Sequence, residues 1–99
     1  MKDLAALTLE EFEPAIGETF AIVFSDAELD LVLERVEALG HDADRPRDPF
    51  SLVFLGPTEP ELIQHTYAVR HRGSLGELLM FLVPISAAED GTRYQAIFA

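Results

Sequence analysis

The sequence has no cysteine and no long apolar run, and each absence removes a class of protein. Without cysteine the chain cannot form disulfides, cysteine-based zinc sites, thiol nucleophiles or iron–sulfur clusters. The longest apolar run, residues 78–85, is far shorter than the ~20 residues that cross a bilayer, and the N-terminal segment lacks the apolar stretch of a signal peptide. We therefore expect a cytoplasmic protein that does not insert into a membrane.

Basic residues are also scarce, because only 7 Lys and Arg stand against 18 Asp and Glu, which gives a net charge of -11. Proteins that bind nucleic acids neutralise phosphates with Lys and Arg, and an acidic surface repels DNA, RNA and anionic lipid. The acids are concentrated in residues 1–48, which hold 13 of them. This charge either keeps the protein soluble or attracts a basic partner, and nucleic acid is not an expected partner.

No stretch of the sequence matches a catalytic, cofactor-binding or metal-binding motif. A P-loop, a dinucleotide-binding glycine pattern and the Gly-x-Ser-x-Gly elbow of hydrolases are all missing. The three histidines are His41, His65 and His71. If residues 62–71 form one strand, His65 and His71 stand about 20 Å apart, too far to share a metal. We assign no catalytic residue, cofactor or metal ligand, and we expect a protein that is not an enzyme.

The residues that are present predict a single domain over residues 1–99, built mostly from short strands. Apolar residues make up 48% of the chain, enough for one core. Thr8 and Glu11 have capping-box spacing, which predicts a short helix over residues 9–16 with Leu9, Phe12 and Ile16 on one face. Strands are predicted over residues 18–24, 50–55, 62–71, 75–85 and 93–98. Turns at intervals of about ten residues favour a small barrel or a sandwich.

Residues 25–39 carry two conflicting patterns. Ser25 and Glu28 have capping-box spacing, and apolar residues then recur at helical intervals as far as Gly40, which favours a helix. Leu29, Leu31 and Leu33 also alternate with other residues, as in a strand. The local pattern alone favours the helix.

The order of these pieces resembles a family of small bacterial proteins known as domain of unknown function 6916. The segments that carry the resemblance are Leu7-Thr-Leu-Glu-Glu-Phe12, Gly17-Glu-Thr-Phe20, Val32-Leu-Glu-Arg-Val-Glu37, Pro49-Phe-Ser-Leu-Val-Phe-Leu-Gly-Pro57, Gln64-His-Thr-Tyr67, His71, Leu75-Gly76, Phe81-Leu-Val-Pro84, Asp90-Gly91 and Arg93-Tyr-Gln-Ala-Ile-Phe98. His65 stands where the family usually has glycine. The resemblance implies a strand over residues 27–38, and it implies an association with tail-collar or tail-fibre-like proteins.

We therefore predict an all-β fold: a small antiparallel barrel or compact sandwich of about six strands with a short N-terminal helix. The fold is α+β if residues 27–38 are helical. The predicted core comprises Leu9, Phe12, Phe20, Ile22, Leu31, Leu33, Phe50, Leu52, Phe54, Tyr67, Val69, Phe81, Val83, Tyr94 and Phe98.

Two predicted strands, residues 50–55 and 78–85, are apolar on both faces, whereas a half-buried strand should be polar outside. Three explanations are open: the N-terminal helix covers the outer face, the strand is central with both faces buried in the fold, or the second face is an interface with another protein or another copy. The candidate interaction surface is Val53, Leu55, Leu79, Met80 and Leu82. We expect a protein-interaction or assembly module that binds a protein partner or itself. A small barrel that binds an apolar ligand is the alternative, and a hydrolase is the least favoured reading.

Overall fold

The computed structural model describes residues 7–41, 43–44 and 47–98, which form one short helix and six strands. Residues 1–6, on which the expectation about a signal peptide partly rests, lie outside these ranges. The elements are α1 (Leu9–Phe12), a 3-10 turn (Glu13–Ala15), β1 (Thr19–Val23), β2 (Glu28–Ala38), β3 (Phe50–Gly56), β4 (His65–His71), β5 (Glu77–Ala88) and β6 (Gly91–Phe98). Within the described ranges, no helix is long and apolar enough to cross a membrane.

The six strands close into an antiparallel barrel, which confirms the predicted fold class and selects the barrel over the sandwich. Their order around the barrel is β1-β2-β3-β6-β5-β4, and β4 pairs with β1 to complete the circle. Strands β1, β2 and β3 follow one another around the barrel and β4 lies beside β1, which is the strand order of a Greek key. Closure leaves no open sheet edge, which removes the usual route to edge-to-edge aggregation.

Strand β2 is the segment whose local pattern favoured a helix, and the structure shows a strand, as the family resemblance implied. Leu31 and Leu33 are fully buried, and β2 pairs with both β1 and β3. A register shift between Leu33 and Arg35 inserts one extra residue, so that Val36 packs against the core although an unbroken alternation would place it outside. Because of the bulge, the apolar residues of β2 no longer recur at every second position, and their spacing resembles that of a helix.

Aromatic rings fill much of the barrel. Phe20 meets Phe54 edge to face with ring centroids 5.3 Å apart, and Phe50 stacks on Phe98 at 4.8 Å. Burial of each such ring contributes about 1.5–3 kcal/mol. Twelve of the fifteen predicted core residues are buried, Leu9 is partly buried, and Phe81 and Val83 lie outside the core.

The helical segment at the N-terminus closes one end of the barrel. Phe12 is fully buried, with its ring 5.7 Å from that of Phe50 and 5.5 Å from that of Phe98. The helix is shorter than predicted, since the segment tightens to a 3-10 turn at Glu13–Ala15, where Pro14 stands at the start. Thr8 makes no side-chain cap; its carbonyl accepts the backbone N–H of Glu11 instead. Ile16, predicted on the buried face, is 46% exposed, and Ala15 is buried in its place.

The last hairpin is tighter than the predicted loop over residues 86–92. Strand β5 continues to Ala88, which pairs with Gly91, so that two residues make the turn. Gly91 has φ +141°, and a Cβ at this position would stand 2.1 Å from the carbonyl oxygen of Gly56. Both constraints require glycine at this position.

Candidate functional site

Strand β5 presents alternate apolar side chains to the core and to the surface. Leu78, Met80 and Leu82 are at most 2% exposed, whereas Leu79 is 44% exposed and Phe81 is 52% exposed. The even-numbered residues therefore point into the barrel. The odd-numbered ones form its outer side.

This alternation corrects the candidate surface of Val53, Leu55, Leu79, Met80 and Leu82. Met80 and Leu82 are core residues, Val53 is 1% exposed, Leu55 is half-buried, and only Leu79 is exposed. The physical reason lies in the pairing with β4. Tyr67 and Val69 of β4 are buried and lie opposite Met80 and Leu78, so the register fixes which side of β5 faces inward.

Strand β3 is a different case, because its outer side is also covered. Val53 lies between Arg35 of β2 and Gln95 of β6, and Leu55 lies between Val32 and Arg93. A strand flanked on both sides by long side chains loses solvent contact on its outer face. The apolar outer residues of β3 are thus explained by its position within the sheet.

Three exposed apolar residues lie on the neighbouring strands β5 and β6, and we call Leu79, Phe81 and Ile97 the outer apolar face. Ile97 is 62% exposed. Val83 pairs with Gln95, and Phe81 and Ile97 each lie two residues beyond that pair along their strands, on the same side of the sheet. On the other flank, Phe81 and Leu79 lie opposite Thr66 and Ala68, two small side chains that leave them uncovered.

Other exposed apolar side chains are dispersed over the barrel. Ile16, Phe24, Val32, Leu39 and Ile63 lie on separate turns and strands, and Ile85 is exposed where the β5–β6 register shifts. Single apolar residues on a surface are common and need no functional explanation.

The charged side chains near the β5–β6 hairpin form an ion-pair network. Arg93 Nε donates to Glu34 at 2.8 Å, and Arg93 Nη2 donates to Asp90 at 2.9 Å. The hydrogen bond from Arg93 lowers the pKa of Asp90 below its ordinary value, and the two carboxylates raise the pKa of Arg93. The two carboxylates are exposed and Arg93 is partly exposed, so the network stabilises the hairpin modestly.

A buried imidazole lies at the end of β4. The side chain of His71 is 7% exposed and stacks on Phe20, with ring centroids 4.6 Å apart. Its Nε2 lies 2.6 Å from Glu18 Oε1, whereas its Nδ1 is buried and has no hydrogen-bond partner among the described residues. The turn that follows is closed by a hydrogen bond from the backbone N–H of His71 to the carbonyl of Gly76.

Two surface cavities adjoin this imidazole. The larger, about 450 Å³, is lined by Glu18, Thr19, Asp30, His71, Arg72 and Gly73. The smaller, about 240 Å³, lies between the N-terminal helical segment and the turn after β4, and it is lined by Glu11, Pro14, Ala15, Glu18, His71, Gly73 and Ser74. The larger cavity carries charges of both signs, and the smaller has only carboxylates as its full charges.

Residues 7–98 match a family described as a domain of unknown function (DUF6916). The chain belongs to this family. The match covers the helix and all six strands, and it confirms the resemblance that the sequence segments showed. No curated protein and no solved structure matches the chain.

For this DUF6916 chain the structure assembles no catalytic triad from the described residues. Ser74 borders the smaller cavity, but His71 Nε2 is engaged by Glu18 and Nδ1 has no partner, so no serine is linked to the imidazole. His41 lies 2.7 Å from Asp48 and is exposed. His65 and His71 lie at opposite ends of β4, as predicted. Within the described ranges, no group of three or more His, Asp or Glu residues is placed to hold a metal.

The interior of this DUF6916 barrel gives no support to the alternative of an internal apolar ligand. Phe20, Leu31, Phe54 and Tyr94 are fully buried in one continuous cluster that occupies the barrel. Small barrels are filled by their own side chains, and about eight strands are needed to hold a ligand.

The sequence analysis missed two features: the exposed position of Ile97 and the contact between Glu18 and His71. Ile97 could have been found, because inward Tyr94, Ala96 and Phe98 place it on the outside. The Glu18–His71 contact had no signal, since 53 residues separate its partners and only the β1–β4 pairing brings them together.

Proposed function

We propose that the protein is a non-enzymatic protein-interaction or assembly module that binds its partner through the outer apolar face. The observation that carries the proposal is the exposure of three large apolar side chains, Leu79, Phe81 and Ile97, at 44%, 52% and 62% on neighbouring strands. A grouped apolar surface on a small soluble domain marks an interaction site more often than dispersed residues do.

The energy available from this face is moderate. Complete burial of such a side chain contributes about 1.5–3 kcal/mol, and roughly half of each is already buried, so the three together offer about 2–5 kcal/mol. Association costs more than that in lost translational and rotational freedom. The outer apolar face therefore acts as the centre of a larger interface, with polar and charged contacts around it.

The net charge of -11 favours a basic protein over a second copy of the chain as the partner. Two identical copies repel each other, whereas a basic partner is attracted and its association is accelerated. The resemblance stated above implies a tail-collar or tail-fibre-like protein as the class of partner, and we include that class in the proposal.

The test compares three forms of the tagged protein in its source cells: wild type, Phe81→Lys and Val32→Lys. Val32 is a matched control, because it is 39% exposed on the outer side of β2, across the barrel from β5. We expect one stoichiometric partner with the wild type and with Val32→Lys, and its loss with Phe81→Lys, while the circular dichroism of all three forms stays the same.

The partner must then bind the purified wild-type chain directly, with the affinity reduced about tenfold or more by Phe81→Lys. Retention of the partner by Phe81→Lys would refute the proposed face. Self-association in analytical ultracentrifugation that Phe81→Lys abolishes would refute the choice of a basic partner and indicate a homo-oligomer.

A further inference from the structure

The pairing of β1 with β4, which we call the β1–β4 seam, is the shortest strand pairing in the barrel. Three residue pairs join these strands, whereas five to seven join every other two neighbouring strands. The three pairs are Phe20–His71, Ala21–Arg70 and Ile22–Val69. Backbone hydrogen bonds between paired strands must break before the strands separate, so separation at this seam breaks the fewest of them.

Two polar side-chain contacts span the seam, and both involve exposed carboxylates. Arg70 of β4 donates to Glu28, which lies on β2 on the far side of β1. His71 Nε2 of β4 lies 2.6 Å from Oε1 of Glu18, which precedes β1. The side chains of Arg70, Glu28 and Glu18 are 42%, 38% and 55% exposed. Water and salt screen such contacts, so they hold the two strands together only weakly.

The closed seam also leaves one buried polar atom unsatisfied. Nδ1 of His71 has no hydrogen-bond partner among the described residues. A buried nitrogen without a partner destabilises the closed state whether or not it carries a hydrogen. Separation of β1 from β4 lets water reach this atom and removes that cost. The two surface cavities described above border His71 and Glu18 at the same end of the seam.

We propose that the barrel opens reversibly at the β1–β4 seam while its other five strand pairings stay intact. The opening is local, and it lies in free energy between the native state and global unfolding. It exposes Ile22 and Val69, which are 0% and 1% exposed in the closed barrel. It also leaves β1 and β4 with unpaired edges, to which extended segments of other chains can add. The device is independent of the proposed function, because the outer apolar face lies on β5 and β6.

The absence of cysteine allows a single buried thiol to report the opening. Val69→Cys places a thiol at the seam, and Leu52→Cys places one on β3 across the barrel, where the native side chain is 0% exposed. The rate of alkylation by iodoacetamide, a neutral reagent, measures how often each thiol is exposed. Urea denaturation measures how often the same variant unfolds globally. We expect the thiol at position 69 to be exposed at least tenfold more often than the chain unfolds, and the thiol at position 52 only when it unfolds.

Two matched charge variants separate the seam from general destabilisation. Glu28 and Glu34 both lie on β2 and are 38% and 37% exposed, but Glu28 pairs with Arg70 across the seam, whereas Glu34 pairs with Arg93 of β6. In the Val69→Cys background, Glu28→Gln should raise the alkylation rate roughly two- to fivefold, because the contact it removes is broken in the open state. Glu34→Gln should leave that rate unchanged, because its contact with Arg93 survives the opening.

Two results would overturn the proposal. One is alkylation of Val69→Cys only at the frequency of global unfolding and with the full urea dependence, which would mean that the barrel opens only as a whole. The other is an equal acceleration by Glu28→Gln and Glu34→Gln. If Val69→Cys does not fold, Ile22→Cys on the facing strand reports the same gap. Phe81→Lys should leave the alkylation unchanged, so the interaction surface and the opening are tested separately.

Discussion

The alternation along β5 predicts a large difference between two identical substitutions three residues apart. Leu82→Ala removes a side chain that is 1% exposed, and Leu79→Ala removes one that is 44% exposed. Burial lost and the cavity left behind make a core Leu→Ala substitution cost about 2–5 kcal/mol, whereas a half-exposed leucine should cost roughly 1 kcal/mol. Both changes are the same substitution in the same strand, so the difference between them reports mainly on burial.

Urea denaturation followed by circular dichroism measures this difference. A domain of this size is stable by about 5–15 kcal/mol, so Leu82→Ala should remain folded in water with a clearly lower urea midpoint. Its thermal midpoint should fall by about 8–40 °C, compared with about 4–8 °C for Leu79→Ala. Equal costs for the two variants, or a greater cost for Leu79→Ala, would contradict the inward direction of the even-numbered residues.

Two further predictions concern the β5–β6 hairpin. Gly91→Ala combines an unfavourable φ with a clash against Gly56 and should lower the free energy of unfolding by more than about 3 kcal/mol. Gly40→Ala also meets a positive φ but has open space around it, and should cost about 1–3 kcal/mol. Equal costs for the two variants in urea denaturation would contradict the hairpin geometry. Arg93 lowers the pKa of Asp90 in the folded state. The stability that the Asp90 carboxylate contributes is therefore present above its unfolded pKa of about 3.9, and it is lost as the pH falls through the lower folded pKa. Asp90→Asn should remove this part of the acid dependence of the melting temperature, and an unchanged profile below about pH 5 would count against the ion pair.

The sequence was sufficient to predict the all-β fold. It was not sufficient to predict which side chains of β5 point into the barrel. Residues 78–85 are apolar at every position, so alternation carries no information about which side faces inward. The pairing of Met80 with buried Tyr67 decides it, and that pairing depends on the register between two strands. For the same reason Phe81, predicted as core, is a surface residue.

Strand β2 shows a second limit of local pattern. The bulge after Leu33 shifts the phase of the alternation, and the resulting spacing satisfies the rule for an amphipathic helix. Only information from beyond the segment, here the family resemblance, favours the strand. The cavity beside Glu18 and His71 is harder still, because its groups come from the N-terminal helix, the residue before β1 and the end of β4, and no short window of sequence contains them together.

The contact between Phe12 and Phe98 has a consequence for how the chain is made in the cell. Ribosomes add about 5–20 residues per second, and a domain folds as a unit once its residues are available. Strand β6 joins β3 to β5, and its Phe98 meets a ring of the first helix, so the barrel has no closed form until residues 91–98 have emerged. Until then β3 lacks one of its two neighbours and exposes an unpaired edge, which makes the chain more prone to edge-to-edge aggregation before β6 appears than after it has paired.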